Sequence, residues 1–258
     1  GWNDNMKPYT LERITDNKDV IVVMLHGIIE LPIFYQFIID KLPENISYVA
    51  PTLEGHALPS REFGKASMKI WEKQIENLYE KYSKEYKKII FVGHSLGTLL
   101  SITEANKHPD KIPYLLLLNC PLKIWMKASN LKTYLTVGFH KKDKIKDETI
   151  KHASDICGVE LSQNPFSYVY WAKPFYSLLR GIKKGKKEIK KLKTTAIAFH
   201  ADNDELVSKK TLKLLKENNN IKIHIMKNSS HYLYSDESKD DITKTLIEML
   251  NNTIVQNN

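Results

Sequence analysis

The sequence predicts an α/β protein with a mostly parallel central sheet, on three observations. Short, continuous apolar runs recur along the chain, as strands buried on both faces require. Amphipathic helical patterns lie between them, and strands alternating with helices make βαβ units. The 258 residues, 42% apolar and 27% charged, are enough for one substantial core and argue against wholesale disorder.

The elements follow in order. Residues 9–14 alternate apolar and polar, the pattern of an edge strand. After a polar stretch, Val20-Ile21-Val22-Val23-Met24-Leu25 is uninterruptedly apolar, and similar runs occur at residues 46–50, 89–92, 114–118 and 195–199. Met68, Trp71, Ile75, Leu78 and Tyr82 recur at steps of three and four, one stripe of an amphipathic helix. Residues 98–107 and 209–216 also suit helices, and Pro109 stops the first. The alternation breaks between residues 121 and 193, which are rich in apolar and aromatic side chains yet show no core strand. That is far too long for a plain loop. The segment is expected to be a mainly helical cap inserted before the last two strands, with residues 1–120 and 194–258 as the core of one compact unit. Lysine-rich stretches at 140–151 and 183–193 should be its solvated helix faces.

A formal charge of +9 invites an anionic partner. However, the lysines are spread along the whole chain and no nucleic-acid-binding motif accompanies them, so a solvated basic surface is expected and nucleic acid is not. Cys120 and Cys157 have neither CxxC nor zinc-like spacing, which points to free thiols in a reducing cytoplasm. No apolar stretch approaches a membrane span, which leaves peripheral association as the one membrane role open, and no signal peptide is visible. The chain opens with Gly1 rather than Met, as a tagged or shortened N-terminus would.

The chemistry is concentrated where residues 89–92 run into Gly93-His94-Ser95-Leu96-Gly97 and an apolar helix follows. This is G-x-S-x-G in the strand–turn–helix context its mechanics require. The sharp turn lifts the Ser95 hydroxyl above the sheet edge and sets it at a helix N-terminus, where free N–H groups favour developing negative charge. On these residues the chain resembles α/β hydrolases of the serine esterase and lipase branch, close to bacterial carboxylesterases and monoacylglycerol lipases.

The resemblance implies the remaining site. His26-Gly27-Ile28 follows the first buried run, and in such enzymes the residue after the His-Gly pair lends its N–H to an oxyanion hole. Here that implies Ile28, paired with the N–H of Leu96, with His26 bracing the loop. The family pattern G-x-x-D-x-x-V falls on residues 201–207, with Ala201 where Gly is usual, and selects Asp204. Asp202 is the competitor, otherwise a turn stabiliser. The fold orders its triad Ser, acid, His. Only His224 and His231 follow Asp204; His224 alternates with isoleucines in a strand pattern, whereas His231 lies in the loop after it, and so His231 is the expected base. His56 and His94 are expected to be structural.

The expected reaction is hydrolysis of a small-molecule or lipid-like carboxylic ester through an acyl-enzyme on Ser95, with no metal or organic cofactor. The base should titrate through an apparent pKa of roughly 6 to 7. Peptidase, thioesterase, C–C hydrolase and perhydrolase chemistry use the same triad, and a non-catalytic binding protein of this fold is the alternative from another class. For a peptidase that must hold a substrate amine the insertion offers Asp155 and Glu160, though nothing marks them as special. Trp171 and Phe175, at helical steps in its aromatic stretch, are the candidates for an acyl pocket.

Overall fold

The computed structural model describes residues 6–125, 156–159 and 164–256. Seven strands form one sheet: β1 (Thr10–Arg13), β2 (Val20–Leu25), β3 (Ser47–Pro51), β4 (Lys88–His94), β5 (Tyr114–Leu118), β6 (Thr195–Ala201) and β7 (Ile221–Met226). Their spatial order is β1-β3-β2-β4-β5-β6-β7, with β1 antiparallel to β3 and every other adjacent pair parallel. β1, whose side chains alternate between exposed and half-buried, lies at one end of this order and is the edge strand the sequence predicts.

Continuous apolar runs are needed because both faces are covered. Ile21, Val23 and Leu25 of β2 join a core with Trp71, Leu99 and Ile182 on one face, while Val20, Val22 and Met24 meet Ile38, Leu246 and Met249 on the other. The first face carries α3 (Met68–Glu85), α4 (Leu96–Lys107) and, after it in the chain, α5 (Ala172–Lys191); the second carries α1 (Gln36–Ile39) and the C-terminal helix, Asp236–Gln256. Between them in sequence lie the short helices α2 (Ser60–Phe63) and α6 (Lys210–Lys216), so the C-terminal helix is α7. Each fully buried Leu or Ile stabilises the fold by roughly 1.5–3 kcal/mol, and all six side chains of β2 are buried. Ser67 caps α3, its hydroxyl accepting the Ile70 N–H at 3.4 Å, and Met68, Trp71, Ile75 and Tyr82 form the buried stripe.

Parallel neighbours need a crossover connection, and α5 supplies the one between β5 and β6. It packs on α4 and α3, burying Leu178, Ile182 and Ile189 while Lys183, Lys184, Lys187, Lys190 and Lys191 face solvent. The described C-terminal part of the 121–193 segment is therefore helical, and α5 lies in the helical layer beside the sheet. A 3-10 helix, Pro165–Trp171, leads into it and contacts α2. The lysine-rich stretch at 140–151 lies outside the described residues. Among the described residues no helix is long and apolar enough to cross a membrane.

Helix α4 carries one buried acid, Glu104, whose carboxyl is pushed from an ordinary 4.5 up to about 7. Burial is the main cause; Lys107 opposes it, and Glu76, Glu72 and Glu80 add to it. Native Glu104 thus holds a proton that the unfolded chain has already lost between pH 4.5 and 7, so this group's contribution to stability falls as pH rises through that window. Glu104→Gln should therefore match wild type at pH 5 and exceed it at pH 8 by on the order of 2 kcal/mol. Denaturant unfolding at the two pH values checks this; a gain independent of pH would show that ionisation is not its origin.

Candidate active site

Strand β4 ends at His94 and α4 begins at Leu96, leaving Ser95 alone at the turn with φ 50° and ψ −115°. A non-glycine residue at positive φ is strained and persists only where its surroundings over-determine it. Here the Ser95 N–H donates to the Leu118 carbonyl at 2.9 Å, and its own carbonyl accepts from the Thr98 N–H and hydroxyl at 2.9 and 2.7 Å. The backbone of Ser95 is thereby committed. The flanking glycines permit the turn: a Cβ on Gly97 would stand 1.9 Å from the Leu25 carbonyl oxygen, and one on Gly93 would stand 2.5 Å from the Gly97 backbone.

The loop after β2 holds the expected oxyanion donor Ile28 between two buried histidines. His26 Nε2 accepts the Leu53 N–H at 2.9 Å, so its Nδ1 carries the hydrogen and donates to the Gly27 carbonyl at 2.7 Å. His56 works in the same sense, Nε2 accepting the Ile29 N–H at 3.0 Å and Nδ1 donating to the Leu53 carbonyl at 3.1 Å. Burial lowers His26 to about 4, against the opposing Gly27 hydrogen bond and Glu30 charge, and holds His56 well below 6.5. Both rings are thus neutral, as their acceptor roles demand. Both brace the loop, and neither is free to act as a base. Ile29 sits at φ 58°, and its carbonyl accepts the Gly158 N–H at 2.6 Å. Gly158 in turn accepts from the Ala57 N–H at 2.6 Å, and Val159 bridges Leu58, so residues 156–159 of the insertion are threaded directly against this loop.

On the far side, His231 Nδ1 faces Asp204 Oδ2 at 2.9 Å, with the two side chains 2% and 1% exposed. The other carboxylate oxygen accepts the N–H groups of Leu206 and Val207, both at 2.8 Å. Asp204 is therefore locked from two sides. The competitors have other duties. Asp202 accepts the N–H groups of Asn228 and Ser229 at 3.2 Å, stabilising the turn after β7. His224 is half exposed on β7, 3.4 Å from Asp241.

The two halves meet at His94, whose Nε2 donates to the His231 carbonyl at 2.8 Å with the rings 4.9 Å apart. The base loop therefore sits against the residue that precedes Ser95. Three further groups hold it there that sequence reasoning did not single out. Asn119, at φ 49°, donates to the same carbonyl at 3.2 Å and to the Tyr234 hydroxyl at 3.0 Å, while accepting the Ala201 N–H. Glu205 accepts the His231 N–H at 2.9 Å. Glu30 faces His94 from the other side at 2.7 Å. Only the last carried a signal, as an acid in the loop after His26-Gly27. Among the described residues, Glu30, His94 and His231 are near enough to share a cation, but both His94 nitrogens are already engaged.

Trp171 and Phe175 stack on each other, and Trp171 packs on Phe63 and donates from Nε1 to the Ser60 hydroxyl. Trp171 thus contacts α2 and Tyr168, and Phe175 stacks on Trp171. A groove of about 150 Å³ lies beside the base loop instead, lined by Ile33, Phe34, Phe37, Ile156, Tyr232 and Tyr234, with Gln36 and Lys239 as its polar members. A larger concavity on α5 is lined by Tyr176, Leu179, Arg180 and three lysines; it opens on that helix's solvent face and touches none of these elements.

Burial by itself would depress His231, but the charge and hydrogen bond of Asp204, with Glu205 and Glu30 beyond, raise it to about 9. This departs from the range of 6 to 7 expected of an unperturbed histidine, because three carboxylates share its buried surroundings. A base must be neutral to accept a proton, so kcat/KM for an activated ester should still be climbing between pH 7 and 9. Asp204→Asn should lower kcat by about 10⁴-fold and move the residual limb to lower pH. A pH–rate profile of both proteins checks this, and a wild-type plateau already reached at pH 6 would contradict it.

The chain matches the family described as serine aminopeptidase, S33, over residues 16–238. No curated protein matches it in sequence. Among solved structures, it superposes on a monoacylglycerol lipase from Paleococcus ferrophilus with a TM-score of 0.67 at 21% identity, covering 96% of this chain and 100% of that one. A structure from a study of the metagenome-derived lipolytic enzymes LipS and LipT gives 0.70 at 14% identity, covering 94% of this chain and 97% of that one. A carboxylesterase study of Nitrososphaera gargenis gives 0.64 at 16%, with 98% of each chain covered. Elbow, sheet order and family match agree: this chain belongs to the serine aminopeptidase S33 family of α/β hydrolases and is a hydrolase.

Proposed function

We propose that the protein hydrolyses carboxylic esters through an acyl-enzyme on Ser95. The observation that carries this reading is the strained Ser95 at the N-terminus of α4, with the buried Asp204–His231 pair docked against its neighbour His94. In the first step His231 Nε2 takes the Ser95 proton as Oγ attacks the ester carbonyl. Asp204, facing Nδ1, keeps the hydrogen on that nitrogen and stabilises the imidazolium. The N–H groups of Ile28 and Leu96 receive the oxyanion. Imidazolium then protonates the departing alkoxide, leaving an ester on Ser95. Water, deprotonated by His231, attacks that ester and releases the acid and the free serine.

An ester is favoured over the amino-terminal peptide in the family's description because an aminopeptidase must hold a substrate ammonium with a carboxylate. Among the described residues, the groove beside the His231 loop is lined by aromatic and aliphatic side chains with Gln36 and Lys239, and by no carboxylate. Asp155 and Glu160, the insertion acids considered for such a role, lie outside the described residues. Esterase and lipase neighbours support the same choice at the level of fold. The substrate is a small molecule, and no cofactor enters these steps. Both cysteines are buried outside any disulfide, and burial pushes the Cys120 thiol up to about 12, which accords with an unreactive thiol.

Ser95→Ala should fold as wild type and lose ester hydrolysis by at least about 10³-fold. Assay of p-nitrophenyl esters beside a monoglyceride, a thioester and a prolyl amide tests both the nucleophile and the bond cleaved. Hydrolysis surviving in Ser95→Ala, or faster on the amide than on any ester, would sink the reading. The insertion is proposed as the cap that supplies the acyl pocket, and each methylene buried there adds about 0.8 kcal/mol. Butyryl and hexanoyl esters should accordingly outrun acetyl in kcat/KM. Trp171→Ala or Phe175→Ala should flatten that profile more than it slows acetyl ester hydrolysis, and an unchanged profile would remove both residues from the pocket.

A further inference from the structure

We propose that Glu30 is a positioning residue for this reaction: its buried carboxylate, acting through His94, ties the loop of the oxyanion donor Ile28 to the loop of the base His231. The inference rests on the ester hydrolase reading and deepens it.

Glu30 is 1% exposed, and a charge so deeply buried costs several kcal/mol unless it is paired. Its pairing is specific. The side chain folds back so that Oε2 accepts the Gly27 N–H, and both oxygens face His94 Nδ1, at 2.9 and 2.7 Å. Position 27 has to be glycine for this: a Cβ there would stand 2.7, 2.8 and 3.0 Å from Oε2, Cδ and Oε1 of Glu30. The opposite nitrogen of the same ring, Nε2, reaches the His231 carbonyl at 2.8 Å. A carbonyl only accepts, so Nε2 carries a hydrogen and donates to His231, which leaves Nδ1 to face the Glu30 carboxyl. Phe34 stacks on the His94 ring at 4.1 Å with an interplanar angle of 21°, which restricts its plane as well. Burial would raise the Glu30 carboxyl, yet the charge and hydrogen bond of His94, with His231 and His26 beyond, bring it below its ordinary value and keep it an acceptor.

Three hydrogen bonds thus run from the residue before Ile28, through Glu30 and His94, to the backbone of His231. They pass through the side chain of His94, the residue that precedes Ser95. Glu30 touches no reacting atom. It fixes the spacing between the group that takes the proton and the group that receives the oxyanion, and an error of about 1 Å in such spacing can cost about 10²-fold in rate.

The test is steady-state hydrolysis of p-nitrophenyl butyrate by wild type, Ser95→Ala, Glu30→Gln, Glu30→Leu and Gly27→Ala, with thermal denaturation of each. Glu30→Gln keeps an oxygen for the Gly27 N–H and an amide that can donate to a neutral His94 ring, whose Nε2–H still reaches His231. It should retain kcat within about threefold. Glu30→Leu removes both bonds and should lose kcat by about 10²-fold with KM changed less than about threefold. Gly27→Ala displaces the carboxylate while leaving it in the chain and should show the same kcat-selective loss; it decides alone if Glu30→Leu fails to fold. A folded Glu30→Leu with wild-type kcat, a Glu30→Gln as impaired as Glu30→Leu, or losses confined to KM would each overturn the proposal while Ser95-dependent turnover stands. Wild type without Ser95-dependent turnover would overturn the hydrolase reading, and this one with it.

Discussion

Where α4 crosses the end of β2, two backbones meet with nothing between them. The α-carbon of Gly97 lies so close to the Leu25 carbonyl that even a methyl group would collide with it. That contact sets the height of the helix above the sheet, and the height sets the rest. With α4 seated this low, the chain has a single residue in which to reverse from strand to helix, and Ser95 takes up the positive φ that the reversal needs. The same closeness brings the end of β2, and hence the loop after it, alongside the first turn of α4. Two N–H groups from separate segments can then share one focus. Overpacking at such a point costs typically 1–3 kcal/mol, and more when the obstacle is rigid backbone that cannot yield.

Around this contact the molecule buries an unusual amount of polar chemistry. His26, Glu30, His56, His94, Asn119, Asp204 and His231 are all nearly or wholly excluded from solvent. Each would be costly alone, since a buried polar group without a partner forfeits its hydration. All are paired in the described hydrogen bonds, and five of these run to backbone groups of another segment. The polar core therefore ties together loops that also pack through Phe34, Phe37 and Tyr234. His200 differs: it is buried on β6 with neither ring nitrogen hydrogen-bonded among the described residues, and burial lowers it despite the nearby charge of Asp204.

Sequence made the sheet legible because a parallel strand covered on both faces must be apolar throughout, as Val20–Leu25 and Tyr114–Leu118 are. It made the elbow legible because glycines at 93 and 97 are steric requirements. Helix α7 was hidden: its first turn is acidic and its buried positions, Ile242, Leu246, Met249 and Leu250, are diluted among polar residues. The acid loop tolerates Ala201 for a reason no pattern reports, since β6 continues through that residue and its backbone needs no positive φ. Asp202 and Asp204 are separated by what their oxygens accept, turn N–H groups in one case and an imidazole in the other. Asn119 and Glu205 were illegible because their roles depend on partners remote in the chain, and Glu30, marked only by its place after His26-Gly27, has its partner His94 equally remote. The crossover role of α5 was masked likewise, its aromatic and basic composition resembling the segment before it.

The strand-like passage of residues 156–159 has a consequence for traffic through the site. Its glycine has its Cα hard against the Glu30 carbonyl, where a side chain would clash at 2.0 Å, and it is stitched on one side to Ile29 and on the other to Ala57. A cover hinged freely over the cleft would leave the floor intact as it moved. This passage cannot: lifting it breaks the bond to the Ile29 carbonyl and frees the residue next to the expected oxyanion donor. Admission of a ligand by that route would disarm the very groups meant to receive its negative charge, and rearming them would wait on the passage closing again. Entry elsewhere would keep the site armed throughout.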